Sequence, residues 1–176
     1  SDPLRKNAKE MLGFFKGEVV TVKVISGDNP LTVSSIAKQA GLEDYESYID
    51  LSTIKNDDEI MEIVDKYSIF ARVSPNQKSL LVQALQAKGH TVAMTGDGVN
   101  DAPALKQADI GIGMGSGTEV AKDSSDMVLM DDNFATIIKA VERGRSIFEN
   151  IRHSIGFLLS GNLGAILTVL YASLAG

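Results

Sequence analysis

The hexapeptide GDGVND at residues 96–101 places two carboxylates, Asp97 and Asp101, in a turn rich in glycine. It follows HTVAMT, an apolar run that predicts a buried strand. A carboxylate at the end of a strand is a hard oxygen ligand, and Mg²⁺ prefers one or two carboxylates together with water and phosphate oxygens. The flanking glycines permit positive φ values on either side of Asp97. The stretch therefore predicts Mg²⁺ on Asp97 beside a phosphoryl group, whose oxygens Asn100 can hydrogen-bond.

The alternative interpretation of this hexapeptide is a glycine-rich turn with an aspartate cap. Asp101 can cap the predicted helix APALKQAD, whose amino end also favours an anion. A plain turn explains Asp101 well, but it leaves Asp97 and Asn100 without a role. We therefore favour the functional interpretation and keep Asp101 as a second candidate ligand for the metal.

A second polar loop, SGDNP at residues 26–30, follows another predicted strand. The hydroxyl of Ser26 can donate to a phosphate oxygen, and Gly27 lets the backbone approach such a group closely. A plain turn, in which Asn29 caps a helix that begins at Pro30, explains the same residues. Taken alone, this loop favours the plain turn.

The third loop lies in ARVSPNQK, residues 71–78. Ser74 and Gln77 have the spacing of a capping box, and Pro75 takes the first helical position. Lys78 lies near the first turn of this predicted helix, where the helix dipole disfavours a cation. Two interpretations remain open, a lysine that points at an anion in a shared site and an ordinary solvated lysine.

Helical and strand-like segments alternate along the chain, which predicts how these loops are positioned. The predicted helices cover residues 2–17, 30–40, 59–66 and 75–88 and run onward from 134, and the predicted strands cover 19–25, 68–73, 90–95, 110–114 and 127–130. Residues 42–58 are polar and acidic and predict a surface excursion. Such alternation is typical of an α/β fold, a parallel sheet with helices on both faces. Its chemistry gathers in loops at the carboxyl ends of the strands.

Composition excludes several classes of function. The chain has 176 residues and a net charge of −6, which argues against nucleic acid as a partner. It has no cysteine and two histidines, so a disulfide framework is excluded and a zinc site lacks its usual ligands. Any metal bound here should be hard and oxygen-liganded.

The last 23 residues, 154–176, carry no charge and are long enough to cross a bilayer. A buried core helix is the alternative, since serine, asparagine and glycine dilute the apolar character. Arg143, Arg145, Arg152 and His153 precede the segment, as expected on the cytoplasmic side of a membrane. We expect a soluble domain over residues 1–150, a membrane helix that starts in 151–176, and a cytoplasmic location for residues 1–152 in a protein of the cell membrane.

Residues 94–134, MTGDGVNDAPALKQADIGIGMGSGTEVAKDSSDMVLMDDNF, resemble the hinge-motif region of cation-transporting P-type ATPases. The similarity covers essentially the whole chain. DPLR at residues 2–5 resembles the family's Asp-Pro-Pro-Arg hinge, with Leu4 in place of the second proline. Residues 131–162 resemble the helix that leaves the phosphorylation domain and becomes the fifth membrane span. The resemblance implies a haloacid-dehalogenase-like, Rossmann-type fold followed by a long helix entering the membrane.

The resemblance also implies roles for individual residues. SGD at residues 26–28 resembles the family's Thr-Gly-Asp motif with the hydroxyl kept, FARVSPNQK resembles the segment whose arginine and lysine contact nucleotide and phosphate, and GDGVND matches residue for residue. The implied phosphate- and ATP-binding residues are Ser26, Gly27, Asp28, Arg72, Lys78 and Asn100. The implied catalytic residues are Lys78, Asp97 and Asp101, with Asp97 as the Mg²⁺ ligand.

One departure from the family is decisive for activity. The phosphorylated aspartate of the family lies in an Asp-Lys-Thr-Gly-Thr motif, and that string is absent from this sequence. The chain therefore resembles the carboxyl-terminal part of a phosphorylation domain without its nucleophile strand, and we expect it to be inactive alone. The parent protein would be an ATP-driven cation transporter with an aspartyl-phosphate intermediate. Its nucleotide-binding, actuator and membrane domains would be the partners of this chain.

Two rival functions and the identity of the cation stay open. A soluble phosphatase of the same fold and a non-catalytic nucleotide- or phosphate-binding fragment share many of these motifs. Asn162 falls where calcium pumps of the family carry an asparagine ligand, whereas Ala165 replaces their glutamate. The resemblance favours calcium as the transported cation and leaves magnesium and manganese open.

Overall fold

A computed structural model describes residues 3–18, 20–54 and 56–175. Contacts divide the chain into two compact units, Ser1–Thr136 and Ile137–Gly176. The helices are α1 (Pro3–Gly17), α2 (Pro30–Ala40), α3 (Asp58–Ile63), α4 (Pro75–Ala87), α5 (Ala102–Gln107), α6 (Glu119–Asp123) and α7 (Ala135–Leu174). The strands are β1 (Val24–Ile25), β2 (Tyr48–Asp50), β3 (Ile69–Ala71), β4 (Ala93–Gly96), β5 (Ile110–Met114) and β6 (Met127–Leu129).

The first sheet is parallel and has the strand order β1-β3-β2. Its central strand is buried throughout, because helices cover both faces. Phe70 packs on one face against residues of α3 and α4 such as Ile60 and Leu81. Ile69 and Ala71 point to the other face and contact α2. The predicted parallel sheet with helices on both faces is confirmed here.

The second sheet is also parallel, with the order β4-β5-β6. A buried cluster joins Met94 of its first strand to Ala104 and Leu105 of α5, Ala121 of α6 and Val82 of α4. Helix α4 therefore contributes to the cores of both sheets, since Leu81 belongs to the first.

Hydrogen-bonded pairing is interrupted between the two sheets. Among the described residues, β1 pairs only with β3 and β4 pairs only with β5. Ile25 of β1 packs against the apolar clusters of both sheets, including the one that contains Met94. The edge strands β1 and β4 thus border one shared core, although no hydrogen bonds in the described part of the chain join them into a single sheet.

The capping signals in the sequence are confirmed. Ser74 accepts from the backbone N–H of Gln77 at 3.3 Å, and the Gln77 side chain accepts from the N–H of Ser74 at 3.0 Å. Asn29 accepts from the N–H of Leu31 at 3.0 Å, and α2 ends at Gly41 with a φ of 96°. These caps fix where α2 and α4 begin after β1 and β3, and so where the loops before them lie.

Two predictions of secondary structure differ from the structure, and one helix is absent from the predictions. The strand predicted over 19–25 is regular only at Val24–Ile25, because only these two residues pair with β3; Val19 lies outside the described residues. The surface excursion predicted at 42–58 contains β2 and the fully buried Leu51, which packs under α4. Helix α6 was not predicted, since its five residues are too few to show a helical period.

Helix α7 forms most of the second unit and is 40 residues long. It is long and apolar enough to cross a membrane, with a mean hydropathy of 1.7 in its most apolar window and none of that window buried. A core helix would be covered by other parts of the protein, so the exposure favours the membrane helix over the buried alternative.

Candidate functional site

Polar loops follow the strands of the first sheet at their carboxyl ends and are hydrogen-bonded to one another. The backbone N–H of Val73 donates to the carbonyl of Ser26 at 3.0 Å, and that of Arg72 donates to the carbonyl of Asp28 at 3.0 Å. The Arg72 guanidinium also lies 3.4 Å from the carboxylate of Asp50, which ends β2. The loops after all three strands of this sheet are therefore held together.

The loops after the strands of the second sheet are joined in the same way. The N–H of Thr118, in the loop after β5, donates to the carbonyl of Asp97 at 2.8 Å. In the same loop, the N–H of Ser116 donates to the carboxylate of Asp132, after β6, at 3.0 Å. The predicted site loops thus form part of a continuous polar edge.

One ion pair connects the two sets of loops. The Lys78 ammonium, at the start of α4, lies 2.6 Å from Oδ1 of Asp101, in the turn after β4. The two side chains are 15% and 10% exposed. Lys78 is therefore not an ordinary solvated lysine, since a carboxylate of this chain pairs with its ammonium. Its role as a phosphate-binding residue stays a prediction.

The other oxygen of Asp101 binds the turn itself. Oδ2 accepts from the N–H of Asp97 at 3.2 Å and from that of Gly98 at 3.1 Å. The predicted cap on α5 is wrong, because the Asp101 side chain makes no capping hydrogen bond to that helix. The carboxylate reaches back across the turn because Val99–Asp101 forms a 3₁₀ turn that brings it over the preceding amides.

The glycines beside Asp97 provide space. The predicted positive φ is wrong, since the positive-φ glycines among the described residues are Gly41 and Gly89. A Cβ on Gly96 would lie 2.5 Å from Cβ of Asp101. A Cβ on Gly117 would lie 2.9 Å from the carbonyl oxygen of Asp97. These glycines therefore let Asp101 and the loop after β5 close around residue 97.

Asp97 is the exposed carboxylate of the turn. Its backbone is fixed by Thr118 and Asp101, while its side chain makes no hydrogen bond or ion pair with any part of the chain that the structure describes. A free, hard carboxylate at a strand end fits one ligand position on Mg²⁺. No group of three or more acidic or histidine side chains placed to hold a metal occurs among the described residues.

The remaining predicted residues lie at the same edge and differ in exposure, hydrogen bonding and backbone conformation. Ser26 is half-buried and its hydroxyl accepts from the N–H of Asp28 at 3.1 Å, as in a plain turn. Gly27, Asp28 and Asn100 are exposed. Arg72 is exposed as well and has a left-handed backbone, with a φ of 49°. A left-handed backbone is uncommon for arginine, and such strained residues cluster at functional sites.

Electrostatics favour the ionised form of Asp101. Burial acts to raise the pKa of this carboxyl, but hydrogen bonds from the Lys78 ammonium and from the amides of Gly98 and Asp97 outweigh it and lower the pKa below its ordinary value. The pKa of Asp50 is lowered as well, first by the hydroxyl of Ser52. Both carboxylates are therefore charged at neutral pH.

Three supporting residues of this edge are absent from the sequence predictions. Asp50 holds Arg72, Thr118 holds the backbone of Asp97, and Asp132, at a φ of 51°, holds Ser116. Asp50 lies within residues 42–58, which the sequence predicts as a surface excursion, so it gave no signal of a site. The Thr-Glu pair at residues 118–119 is a helix-start signal that could have revealed the loop at 115–118.

Comparison with known proteins identifies the family. A protein-family sequence model described as "Hydrolase: haloacid dehalogenase-like hydrolase" matches residues 1–109 of this chain. The chain belongs to the haloacid dehalogenase-like hydrolases. The predicted fold is therefore confirmed, with its parallel pairing divided into two three-stranded sheets.

Relatives of this haloacid dehalogenase-like chain include named cation transporters. "Probable cation-transporting ATPase F" of Mycobacterium tuberculosis is 50% identical over all of this chain and 20% of that protein. "Calcium-transporting ATPase 1" of Lactococcus lactis is 47% identical over 99% of this chain and 20% of that protein. The crystal structure of a zinc-transporting PIB-type ATPase in the E2.Pi state matches with a TM-score of 0.67 and 31% identity, over 87% of this chain and 21% of that chain.

The predicted resemblance to cation-transporting P-type ATPases is confirmed by these relatives. The haloacid dehalogenase-like chain spans about a fifth of the length of the curated relatives it matches. Homology to cation pumps, together with the apolar helix α7, also confirms the prediction of a membrane location.

Proposed function

We propose that this chain is part of an ATP-driven cation pump and supplies the phosphate- and Mg²⁺-binding groups of its phosphorylation domain. The observation that carries the proposal is the exposed Asp97 carboxylate beside the buried Lys78–Asp101 ion pair, at the carboxyl edge of two parallel sheets. Homology over the whole chain to cation-transporting ATPases supports it. We infer residues 1–150 as the domain part and 151–176 as the start of the membrane helix.

The residues of this chain have distinct proposed tasks. The Lys78 ammonium offsets negative charge on the phosphoryl group, which is the main electrostatic need of phosphoryl transfer. Asn100 and the hydroxyl of Ser26 orient its oxygens, while Arg72, Gly27 and Asp28 border the nucleotide. Asp97 holds Mg²⁺, with ATP as the substrate; the ion, when bound, supplies further positive charge to the phosphoryl oxygens.

The nucleophile comes from outside this sequence. Covalent phosphoryl transfer to aspartate requires a free carboxylate aligned with the phosphoryl group. Asp101 is bound at both oxygens and Asp97 is assigned to the metal. Among the described residues, β1 and β4 each have an unpaired edge beside the shared core, where a further parallel strand could pair. We propose that the phosphorylated aspartate lies on a strand between them.

The transported cation is proposed to be Ca²⁺. Asn162 of α7 is the candidate ligand in this chain. The relative that matches 99% of this chain at 47% identity is named a calcium transporter. A single carbonyl oxygen cannot select an ion, because Ca²⁺ takes 6–8 oxygen ligands in typical sites. Other membrane helices would provide the remaining ligands.

The test uses the complete protein that contains this sequence, reconstituted in lipid vesicles. We expect ATP-dependent uptake of labelled Ca²⁺ and a hydroxylamine-sensitive phosphoenzyme, with Mn²⁺ uptake measured in parallel. Asp97→Asn and Lys78→Ala should each reduce phosphoenzyme formation at least about tenfold, whereas Asp44→Asn, an exposed carboxylate outside the site loops, should leave it unchanged. A protein that hydrolyses small phosphate esters but moves no cation would support the soluble-phosphatase chemistry instead.

A further inference from the structure

Asp50 and Arg72 lie at the ends of neighbouring strands, at the edge that carries the proposed phosphate site. Asp50 ends β2, Arg72 follows β3, and the Arg72 guanidinium lies 3.4 Å from Oδ2 of Asp50. Among the described residues, Asp50 is the only ion-pair partner of Arg72. A carboxylate near a nucleotide repels it, because ATP is an anion. The position of Asp50 therefore needs a physical reason.

We propose that Asp50 is a positioning residue for nucleotide binding, which holds the Arg72 guanidinium in the orientation that meets the nucleotide. The proposal rests on the proposed function, because it assigns a task at the part of the site that Arg72 borders. Asp50 itself does not touch the nucleotide. It acts on the affinity for ATP and not on the transfer of the phosphoryl group.

The first argument is that the two oxygens of the Asp50 carboxylate have different partners. Oδ1 accepts from the hydroxyl of Ser52 at 2.6 Å and from the backbone N–H of Ser52 at 3.0 Å. These two bonds fix the rotation of the carboxylate, so that Oδ2 is the oxygen that faces Arg72. The Asp50 side chain is 24% exposed, whereas that of Arg72 is 50% exposed. The carboxylate is therefore the fixed member of the pair, and the arginine is the member that it orients.

The second argument is that the turn after β2 is anchored in the domain. Leu51 is fully buried and belongs to the apolar cluster under α4. Its carbonyl accepts from the side-chain amide of Gln77 at 3.2 Å, and Gln77 also completes the capping box of α4. The hydroxyl of Thr53 donates to the carbonyl of Asp50 at 2.7 Å. A carboxylate can orient a long side chain only from a rigid support, and this turn provides one.

The third argument is the backbone of Arg72. Its φ of 49° is uncommon for any residue but glycine, and such a conformation persists only when the surroundings hold it. Residues two apart on a strand point to the same face, so a regular strand would direct residue 72 to the face where Phe70 is buried against α3 and α4. The left-handed conformation interrupts that alternation. The ion pair with Asp50 then fixes the guanidinium at the exposed edge.

The fourth argument is that the pairing leaves most of the guanidinium free. An arginine has five N–H donors, and Nη1 is the nitrogen that faces Asp50. The guanidinium makes no hydrogen bond with the described part of the chain. An arginine that is fixed on one side and open on the other loses less freedom when it binds a ligand. Since the pair has no net charge, its benefit to an anionic nucleotide comes from orientation.

Charge and positioning predict opposite effects of Asp50→Asn on the binding of ATP. Asparagine keeps an oxygen for the N–H of Ser52, so the turn is preserved while the negative charge is removed. If charge alone mattered, the loss of a carboxylate would lower the KM for ATP. If Asp50 positions Arg72, the KM rises. Asp57→Asn is the matched control, because Asp57 is an exposed carboxylate of the same polar segment and makes no capping hydrogen bond.

In the complete protein, phosphoenzyme formation is measured with ATP and with acetyl phosphate, which has a reactive phosphoryl group but no nucleoside. We expect Asp50→Asn to raise the KM for ATP about threefold to fivefold, as for a partly exposed ion pair, and to leave kcat within about twofold. With acetyl phosphate, KM and kcat should stay within about twofold of wild type, and Asp57→Asn should change neither substrate's constants. A KM for ATP that falls or is unchanged in Asp50→Asn, or an equal rise for acetyl phosphate, would overturn the proposal.

A double variant tests whether Asp50 acts through Arg72. Arg72→Gln alone should raise the KM for ATP at least as much as Asp50→Asn does. Adding Asp50→Asn to Arg72→Gln should change the KM by less than about 1.5-fold, because the two residues act as a unit. Effects that multiply would show that Asp50 acts independently of the arginine, which contradicts the proposal.

The ion pair is also measurable without phosphorylation. In the full 176-residue chain with ¹³C-labelled aspartate, NMR follows the titration of the Asp50 carboxyl. Its pKa is lowered first by the Ser52 hydroxyl and also by the Arg72 guanidinium, so Ser52→Ala and Arg72→Gln should each raise the midpoint. A midpoint that does not move in Arg72→Gln would overturn the pairing. If wild-type protein forms no phosphoenzyme, the proposed function fails and the nucleotide task of Asp50 fails with it, whereas a midpoint that still moves would show that the ion pair itself exists.

Discussion

Adding a single methyl group at Gly96 should displace the Asp101 carboxylate. The new Cβ would lie 2.5 Å from Cβ of Asp101, far inside normal contact, and Asp101 Cβ is fixed by its own backbone. Overpacking of this kind costs about 1–3 kcal/mol. Losing a hydrogen bond to a charged group adds about 1.5–3 kcal/mol. We therefore expect Gly96→Ala to lower the free energy of unfolding by about 3 kcal/mol and the Tm by roughly 6–12 °C.

Gly98→Ala is the matched control, two residues away in the same turn. Its φ of −110° and ψ of 163° suit any residue, and its Cβ would meet Oδ2 of Asp101 at an ordinary 3.6 Å. Replacing glycine without strain stabilises by about 0.4–1 kcal/mol, because the unfolded chain loses freedom. The Tm of Gly98→Ala should stay the same or rise by a few degrees, roughly 1–4 °C.

Both variants are measured by thermal unfolding with circular dichroism at pH 7, in the same detergent as the wild-type chain. The amide signals of residues 97 and 98 report the local effect, since their hydrogen bonds to Asp101 should be lost only in Gly96→Ala. The reasoning is refuted if the two alanine variants melt within about 2 °C of each other.

Three further outcomes are expected. A chain that ends at Arg152 should gain solubility without detergent and keep the main thermal transition, since residues 154–174 of α7 are exposed. Gel filtration checks the solubility and calorimetry the transition, and loss of cooperative unfolding would place the segment in the core. Asp109 accepts from the N–H of Val92 at 2.8 Å, and this bond first, then Gln86, lowers its pKa, so its stabilisation is present above about pH 4 and is lost as the pH falls through the lowered value. Asp109→Asn should therefore lower the urea midpoint at pH 7 and have little effect near pH 2, and an equal effect at both values would contradict the role of the charge. Incubated alone with labelled ATP, the chain should form no hydroxylamine-sensitive phosphoprotein, so a labelled band would show that it contains its own nucleophile.

The parts of the fold that the sequence predicts well are those with local signals. The helix over 75–87 has a capping box at its start, and Ile110–Met114 stands between polar turns, so both were predicted nearly within their bounds. The strand at Tyr48–Asp50 has no such signal, because three residues in an acidic stretch show no alternation. Its existence depends on pairing with β3, which is a contact between distant parts of the chain.

For the candidate site too, the sequence predicts which residues take part but not which side chains pair with each other. The sequence placed Asp97 at a strand end and Lys78 near the start of the helix after another strand, and predicted a site there. It could not predict that Lys78 would pair with Asp101, because they are on different elements and meet only through the packing of α4 on α5. Similarly, the glycine at 96 suggested backbone freedom, and the structure shows that steric room for a neighbouring side chain is the reason.

The strand registers have a consequence for the order in which the chain folds. In the second sheet, each pairing joins residues roughly 15 to 20 positions apart, as from Ala93 to Ile110. In the first sheet, Val24 pairs with Ile69, about 45 positions away, so closing that loop costs more entropy before any contact compensates for it. The half of the domain around β5 should therefore form early, and β1 should dock late. Substitutions in the core around Met94 would then slow folding, whereas those at Val24 would mainly speed unfolding.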